Sequence, residues 1–187
     1  MEKKIYVNLD SRTIFITDTI NDQNMGYVAF NLLHMIKEDD MCESQMKEYE
    51  REPIHIHIMS PGGSVTAAWA IVDLIENSKT PIYTYCNGYA YSAGLLLFVS
   101  GHKRFVYNHS VLMYHQVAKG MCYPSFVQDW IEDSLDLKKT QEIWEEYFLE
   151  KTKVTKEKLE DVRICKQDWY INADDAIVLG IATEKIK

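Results

Sequence analysis

Apolar and polar positions change period several times along this chain, from alternation to helical spacing and back. Residues 11–17 are rich in β-branched side chains and bounded by polar ones, which predicts a first strand. Apolar positions in 22–37 follow helical spacing, and the charged run over 37–52 is either a solvated helix extension or an inserted loop. Residues 53–59 alternate isoleucine with histidine, which is typical of a strand.

The rest of the chain continues to alternate helical and strand-like patterns, with Ser64 or Thr66 available to cap the next helix. The patterns predict a helix over 64–77, a strand over 81–87, a tight turn over 88–92, an apolar helix over 93–100, strands over 103–107 and 111–116, and an amphipathic helix over 124–152. Strands that alternate with helices predict βαβ units and a largely parallel sheet with covered faces.

Length and composition indicate one globular α/β domain over 1–187. Apolar residues make up 47% of the chain and charged residues 26%, which is typical of a folded domain with its own core. The formal net charge of −8 argues against a nucleic-acid-binding surface, which needs a basic patch. No internal repeat, low-complexity tract or linker interrupts the pattern.

The cysteines and the apolar runs indicate in which cellular compartment the protein is expected. Cys42, Cys86, Cys122 and Cys165 lie far apart, without the paired spacing of a zinc site or a disulfide scaffold, and are interpreted as reduced thiols. The N-terminus turns polar too soon for a signal peptide, and the longest near-apolar stretch, 93–99, is too short to span a bilayer. We therefore expect a soluble, cytoplasmic protein with no metal and no membrane partner.

His55 and His57 share one face of the strand over 53–59, which raises the hypothesis of a metal pair. No third ligand lies nearby in sequence. The favoured interpretation is a strand whose isoleucines face the core while both histidines face a polar side.

Four short segments carry the residue types of a nucleophilic hydrolase. They are a glycine-rich turn at 60–64, a serine among small residues at 91–94, a histidine in a strand-like segment at 114–116, and Asp168. Each alone is weak evidence, because Pro-Gly-Gly is usually only a turn. Together they supply a nucleophile (Ser92), a base (His115), an orienting carboxylate and backbone oxyanion donors. Ala93, at a helix start, is one natural donor, and the glycine turn should provide the second.

In this order the segments resemble the proteolytic subunit of the Clp protease family. The resemblance extends from about Leu9 to Ile186. Residues 54–67 resemble the family's strand, turn and helix start, 91–97 its nucleophile segment, 113–116 its histidine segment, and 168–182 its closing aspartate, helix and glycine unit.

The resemblance implies a ClpP/crotonase-like spiral of β-β-α units with a protruding handle helix near 124–152. It implies a Ser92, His115, Asp168 triad, an oxyanion hole at Gly63 and Ala93, and no cofactor. The implied function is that of an ATP-dependent serine endopeptidase subunit, which hydrolyses peptides or unfolded proteins inside a ring chamber. The implied assembly is a homo-oligomer of stacked heptameric rings, a tetradecamer, with an AAA+ unfoldase (ClpX/ClpA/ClpC-like) as a candidate partner.

Two other functions are compatible with parts of this pattern. A non-catalytic or regulatory Clp-like ring subunit would share the fold, but inactive members lose triad residues and all three are present here. A crotonase-type acyl-CoA enzyme would share the spiral and the two-donor oxyanion hole, but it does not need a serine–histidine–aspartate set.

The chain also departs from the family pattern. The segment before Leu9 is short, which bears on coupling to an unfoldase. Residues 117–122 replace a proline and a glycine-rich strand, so we expect altered cleavage specificity. Gln167 replaces a charged residue that ties ring to ring, so we expect the junction to depend more on Trp130 and Trp144. The charged segment 37–52 looks longer than its counterpart.

Overall fold

The computed structural model describes residues 5–119 and 126–187, and in these ranges strands and helices are interspersed along the chain. The elements are β1 (Ile5–Asn8), β2 (Thr13–Ile16), α1 (Asp22–Gln45), β3 (Ile54–Ser60), α2 (Val65–Glu76), β4 (Ile82–Tyr91), α3 (Ala93–Val99), β5 (Lys103–Tyr107), β6 (Val111–Tyr114), α4 (Val127–Lys151), α5 (Lys156–Cys165), β7 (Trp169–Asn172), α6 (Ala173–Val178) and β8 (Glu184–Ile186).

The strands form one sheet in the order β1-β2-β3-β4-β5-β8, and it is mostly parallel. β4 divides the sheet, because residues 83–86 pair with β5 whereas residues 89–91 pair with β6. Gly88, with φ +88°, lies between the two halves of β4. β7 then adds antiparallel to β6. The second branch, made by β6 and β7, carries the histidine and aspartate segments.

Most predicted elements are present, and the exceptions come from strand pairing. The predicted tight turn over 88–92 is wrong, since β4 continues to Tyr91 with β6 as its new partner. β1 was not predicted; it is a short strand that pairs antiparallel with β2. Ser64, rather than Thr66, caps α2 by accepting a hydrogen bond from the Ala67 N–H.

The charged run after residue 37 continues α1 to Gln45, which decides between the two interpretations in favour of a helix. The fully buried Asp39 carboxylate explains the extension: it accepts hydrogen bonds from Arg12, Tyr49 and Thr80 at 2.6–2.7 Å. Burial alone would raise the pKa of Asp39, but these hydrogen bonds together lower it. The ionised carboxylate thus holds α1 against the sheet.

The alternating strand β3 has the predicted faces. Ile54, Ile56 and Ile58 are buried, whereas the histidines are half-buried on the opposite side. His55 Nδ1 lies 2.9 Å from the Tyr85 hydroxyl, and His57 Nδ1 lies 2.9 Å from Asn87 Oδ1. Within the described ranges, no group of three or more histidine, cysteine or acidic side chains is arranged to hold a metal ion.

The long helix α4 is only half covered by its own domain. Trp144, Tyr147 and Phe148 in its C-terminal half are buried, whereas Trp130 and Leu135 in the N-terminal half are each 53% exposed. The predicted start at Pro124 lies outside the described residues. No helix in the described parts of the chain is long and apolar enough to cross a membrane.

The expectation that Trp144 supports a ring junction is wrong for this fold. Its side chain is only 3% exposed and packs against Tyr114 and Phe148, with ring centroids 5.8 and 5.1 Å away. A helix pattern shows which side chains are apolar, but it does not show whether the same domain or another one covers them.

Candidate active site

Three parallel strands bring the predicted site together at their carboxyl ends. Ser60 at the end of β3 lies opposite Ala90 of β4, and Tyr91 lies opposite Met113 of β6. The residues that follow these strands are the glycine turn, Ser92 and His115. Carboxyl ends of parallel strands meet at one edge of a sheet, so Ser92 and His115 become neighbours here although they are distant in sequence.

Ser92 forms a sharp turn between β4 and α3. Its backbone has φ 54° and ψ −121°, a strained conformation for a residue with a side chain. The Ser92 N–H donates to the Met113 carbonyl at 2.9 Å, and the Ser92 carbonyl accepts from Leu95 N at 2.9 Å. The hydroxyl is therefore held at the start of a fully buried helix and is half-exposed at the surface.

His115 lies between the other two predicted residues. Its Nε2 is 2.7 Å from Ser92 Oγ, and its Nδ1 is 3.4 Å from Asp168 Oδ1. The first distance is that of a good hydrogen bond, and the second is at the outer limit of one. One imidazole ring therefore links the hydroxyl and the carboxylate in the order that proton transfer from Ser92 requires.

Strand register explains why Asp168 faces His115 although the two are far apart in sequence. β6 and β7 run antiparallel, and the last pair of their ladder is Tyr114 opposite Trp169, so His115 and Asp168 are the residues next to that pair on the two strands. Asp168 lies directly before β7, and its side chain is 48% exposed. β7 has β6 as its only partner strand in the described residues, so Asp168 lies beside an edge strand of the sheet.

The glycine turn is clamped against Ser92 and Ile20. Ile20 N donates to the Gly62 carbonyl and Ser64 N donates to the Ile20 carbonyl, both at 2.8 Å. Gly63 has φ +144°, and a Cβ there would lie 2.2 Å from the Ile20 carbonyl oxygen. Among the described residues, no backbone hydrogen bond uses the N–H of Gly63 or of Ala93. The N–H groups of Gly63 and Ala93 are thus not used by the turn, loop and cap hydrogen bonds of this region.

A small apolar recess opens beside the hydroxyl and was not found from the sequence. Its walls include Val65, Leu96, Val117 and Trp144, together with Ser92 and His115. Trp144 belongs to a helix interpreted as an assembly element, and Val117 follows the histidine segment. The sequence gives no local signal for either role, because these residues meet only through the packing of α4.

Gly62 offers a direct test of how the turn supports Ser92. A Cβ on Gly62 would lie 2.7 Å from Ser92 Cβ and 2.6 Å from the Tyr91 carbonyl oxygen, with φ at +95°. We expect Gly62→Ala to lower the peptide-hydrolysis rate by about 10²-fold or more, since a displacement of about 1 Å can have that effect. The measurement is kcat/KM on a fluorogenic peptide alongside the thermal unfolding midpoint.

Two other glycines provide matched controls. Gly88→Ala places a side chain at φ +88° in open space. Its effect therefore measures backbone strain without the steric clash that Gly62→Ala also creates. Gly26→Ala lies within α1 with nothing within 4 Å, and it should stabilise the helix by about 0.5–1 kcal/mol. Equal activity of the Gly62 and Gly88 variants would show that the turn does not position Ser92.

Comparison with known proteins gives consistent results. The Clp protease family model matches residues 2–187. The ATP-dependent Clp protease proteolytic subunit 2 of Prochlorococcus marinus (strain NATL2A) is 30% identical over 180 residues, which cover 95% of this chain and 84% of that protein. The structure of a ClpP1 point mutant from Listeria monocytogenes superposes with a TM-score of 0.79 at 24% identity, covering 96% of this chain and 93% of that one. The expected ClpP/crotonase-like fold is confirmed.

Proposed function

This chain belongs to the Clp protease family, and from that premise we propose that it is a catalytic, serine-type endopeptidase subunit. The observation that carries the proposal is the 2.7 Å contact between His115 Nε2 and Ser92 Oγ, with Asp168 on the other ring nitrogen. The proposed substrates are peptides or unfolded protein chains, and no cofactor takes part.

In the proposed reaction, His115 accepts the hydroxyl proton as Ser92 Oγ attacks the peptide carbonyl carbon. Asp168 keeps the second ring nitrogen protonated and stabilises the imidazolium that forms. The Gly63 and Ala93 N–H groups donate to the developing oxyanion. His115 then gives its proton to the leaving amine. In the second half of the reaction, His115 accepts a proton from the water that attacks the acyl-enzyme, and it returns this proton to Ser92 Oγ as the acyl group leaves.

The apolar recess contributes to substrate choice in this proposal. Val65, Leu96, Val117 and Trp144 offer no charged group, so the surface beside the scissile bond favours an apolar side chain. An acidic or basic side chain would lose its hydration without a partner. We infer a preference for apolar over charged residues next to the scissile bond.

The alternative of a non-catalytic ring subunit finds no specific support in this site. The three side chains are present, and Ser92 and His115 are already in hydrogen-bonding contact. An acyl-CoA enzyme of the crotonase group would not require that contact.

A fluorophosphonate probe tests the proposal directly, because it reacts only with an activated serine. We expect stoichiometric labelling of the native protein and a modified tryptic peptide that contains Ser92, together with hydrolysis of fluorogenic peptides. Heat-denatured protein is the control and should not be labelled. Native protein that neither reacts with the probe nor cleaves any apolar peptide in a library would refute the proposed function.

We also propose a homo-oligomer of stacked heptameric rings, with an AAA+ unfoldase as an ATP-dependent partner in the cytoplasm. The N-terminal half of α4 supports an assembly role, since its apolar side chains find no cover in the described part of their own domain. The exposed members are Phe126, Val127, Trp130, Ile131 and Leu135.

We expect Trp130→Glu to split or disorder this assembly while the subunit stays folded. Trp130 is 53% exposed, so a charge there can stay hydrated in the isolated subunit but would disrupt an apolar contact with another subunit. Light scattering after size-exclusion chromatography measures the mass, and circular dichroism checks the fold. Trp130→Phe keeps the apolar surface and serves as control. A wild-type protein that is a fully active monomer would contradict the assembly.

A further inference from the structure

Gln141 is a buried polar residue on α4, 5% exposed, that touches the histidine segment. Its Oε1 accepts a hydrogen bond from the Val117 N–H at 2.7 Å. Its Nε2 donates to the Tyr114 hydroxyl at 3.0 Å and to Glu145 Oε1 at 2.8 Å. Neither the family pattern discussed above nor the proposed reaction gives this side chain a role.

The hydrogen-bond partners determine which way the Gln141 amide points. The backbone N–H of Val117 can only donate, so it requires the oxygen, and the NH₂ group must then face the tyrosine and the glutamate. The Tyr114 hydroxyl is an acceptor that stays protonated, because burial strongly raises the pKa of this phenol. Both N–H groups of the amide and its oxygen are therefore engaged.

These contacts hold the chain on both sides of His115. β6 ends at Tyr114, and residues 115–119 have no strand partner in the described part of the chain. The backbone of His115 leaves the ladder just where its ring must meet Ser92 and Asp168. Gln141 replaces the missing ladder, since it holds Tyr114 by the hydroxyl and Val117 by the main chain.

The same contacts also place one wall of the apolar recess. Val117 lines the recess with Trp144, and Trp144 lies one turn after Gln141 on the same helix. A shift of the 115–117 segment would therefore move the base and the recess wall together.

We propose that Gln141 is a positioning residue, which sets the geometry of His115 and the shape of the recess through its hydrogen bonds to Tyr114 and Val117. This inference rests on the proposed peptidase function. A residue that only satisfied a buried amide would affect stability without affecting turnover.

Gln141→Leu tests the claim with a side chain of similar size. It leaves the Val117 N–H without an acceptor, and we expect kcat on a fluorogenic peptide to fall about 10- to 100-fold. KM should rise for peptides with an apolar residue before the scissile bond and change little for peptides with glycine there. Glu142→Gln, an exposed change on the next residue of α4, is the control and should keep both constants.

A charge-swap pair provides a rescue that a packing defect would not show. Gln141→Glu keeps an acceptor for Val117 but places two carboxylates together, and we expect low activity. Adding Glu145→Gln supplies an amide that can donate to the new carboxylate, and we expect kcat to recover to within about 3-fold of wild type. If Gln141→Leu does not fold, recovery of kcat in this pair still tests whether Gln141 positions His115.

Histidine NMR separates this proposal from the proposed function. In protein labelled with ¹⁵N-histidine and assigned with His115→Gln, we expect Gln141→Leu to shift the His115 ring resonances, whereas Glu142→Gln does not. If the wild type proves inactive, such a shift still supports the positioning role while the proposed function fails. A folded, assembled Gln141→Leu protein with wild-type kcat, or with unshifted His115 resonances, would overturn the inference.

Discussion

Ser92→Ala will reduce peptide hydrolysis to background and leave the fold unchanged. Loss of a triad serine lowers kcat on the order of 10⁶-fold, because the remaining groups can then only support attack by water. Alanine fits the backbone at φ 54° as well as serine does, since both carry a Cβ, so no new strain arises. Hydrolysis of a fluorogenic peptide and thermal unfolding of the same preparations measure the two effects.

A second serine on the same helix serves as the matched control. Ser100 ends α3, is 4% exposed, and donates through its hydroxyl to the Leu97 carbonyl at 2.8 Å. Ser100→Ala should lower the free energy of unfolding by about 1 kcal/mol and keep activity. Undiminished hydrolysis by Ser92→Ala would place the nucleophile elsewhere and would withdraw the proposed function.

Asp168→Asn will lower kcat on the order of 10⁴-fold, the size seen when the orienting aspartate of a trypsin-like triad is replaced. The amide can donate to His115 Nδ1, and this favours the tautomer that cannot accept the Ser92 proton at Nε2. Stability should change by only about 0–1 kcal/mol, because Asp168 is 48% exposed and its contact to Nδ1 is 3.4 Å long. The combination of a large kinetic effect with a small effect on stability is what identifies an orienting carboxylate.

Asp174→Asn is the control for the loss of an exposed carboxylate nearby. Asp174 lies in the first turn of α6 and accepts a hydrogen bond from Lys185 at 2.6 Å, outside the site. It should leave kcat within about 2-fold of wild type, in keeping with the small energies of surface ion pairs. Near-normal turnover in a folded Asp168→Asn protein would show that another group orients His115.

Local sequence determined those features that depend on neighbouring residues alone. The alternation in β3 determined which face is buried, because successive side chains of a strand point to opposite sides. Small residues around Ser92 and a glycine turn before it signalled where a backbone can bend tightly. The strand over 103–107 was predicted with its observed bounds, since its polar edges are local.

Tertiary structure alone decided what depends on a partner distant in sequence. β4 passes through the predicted turn because β6 pairs with its second half, and Asp168 meets His115 because β6 and β7 run antiparallel. Trp144 faces its own core, and Gln141 reaches Val117, because α4 packs against the histidine segment. A periodic pattern encodes which side chains avoid water, but the surface that covers them is set by pairing and packing across the whole chain.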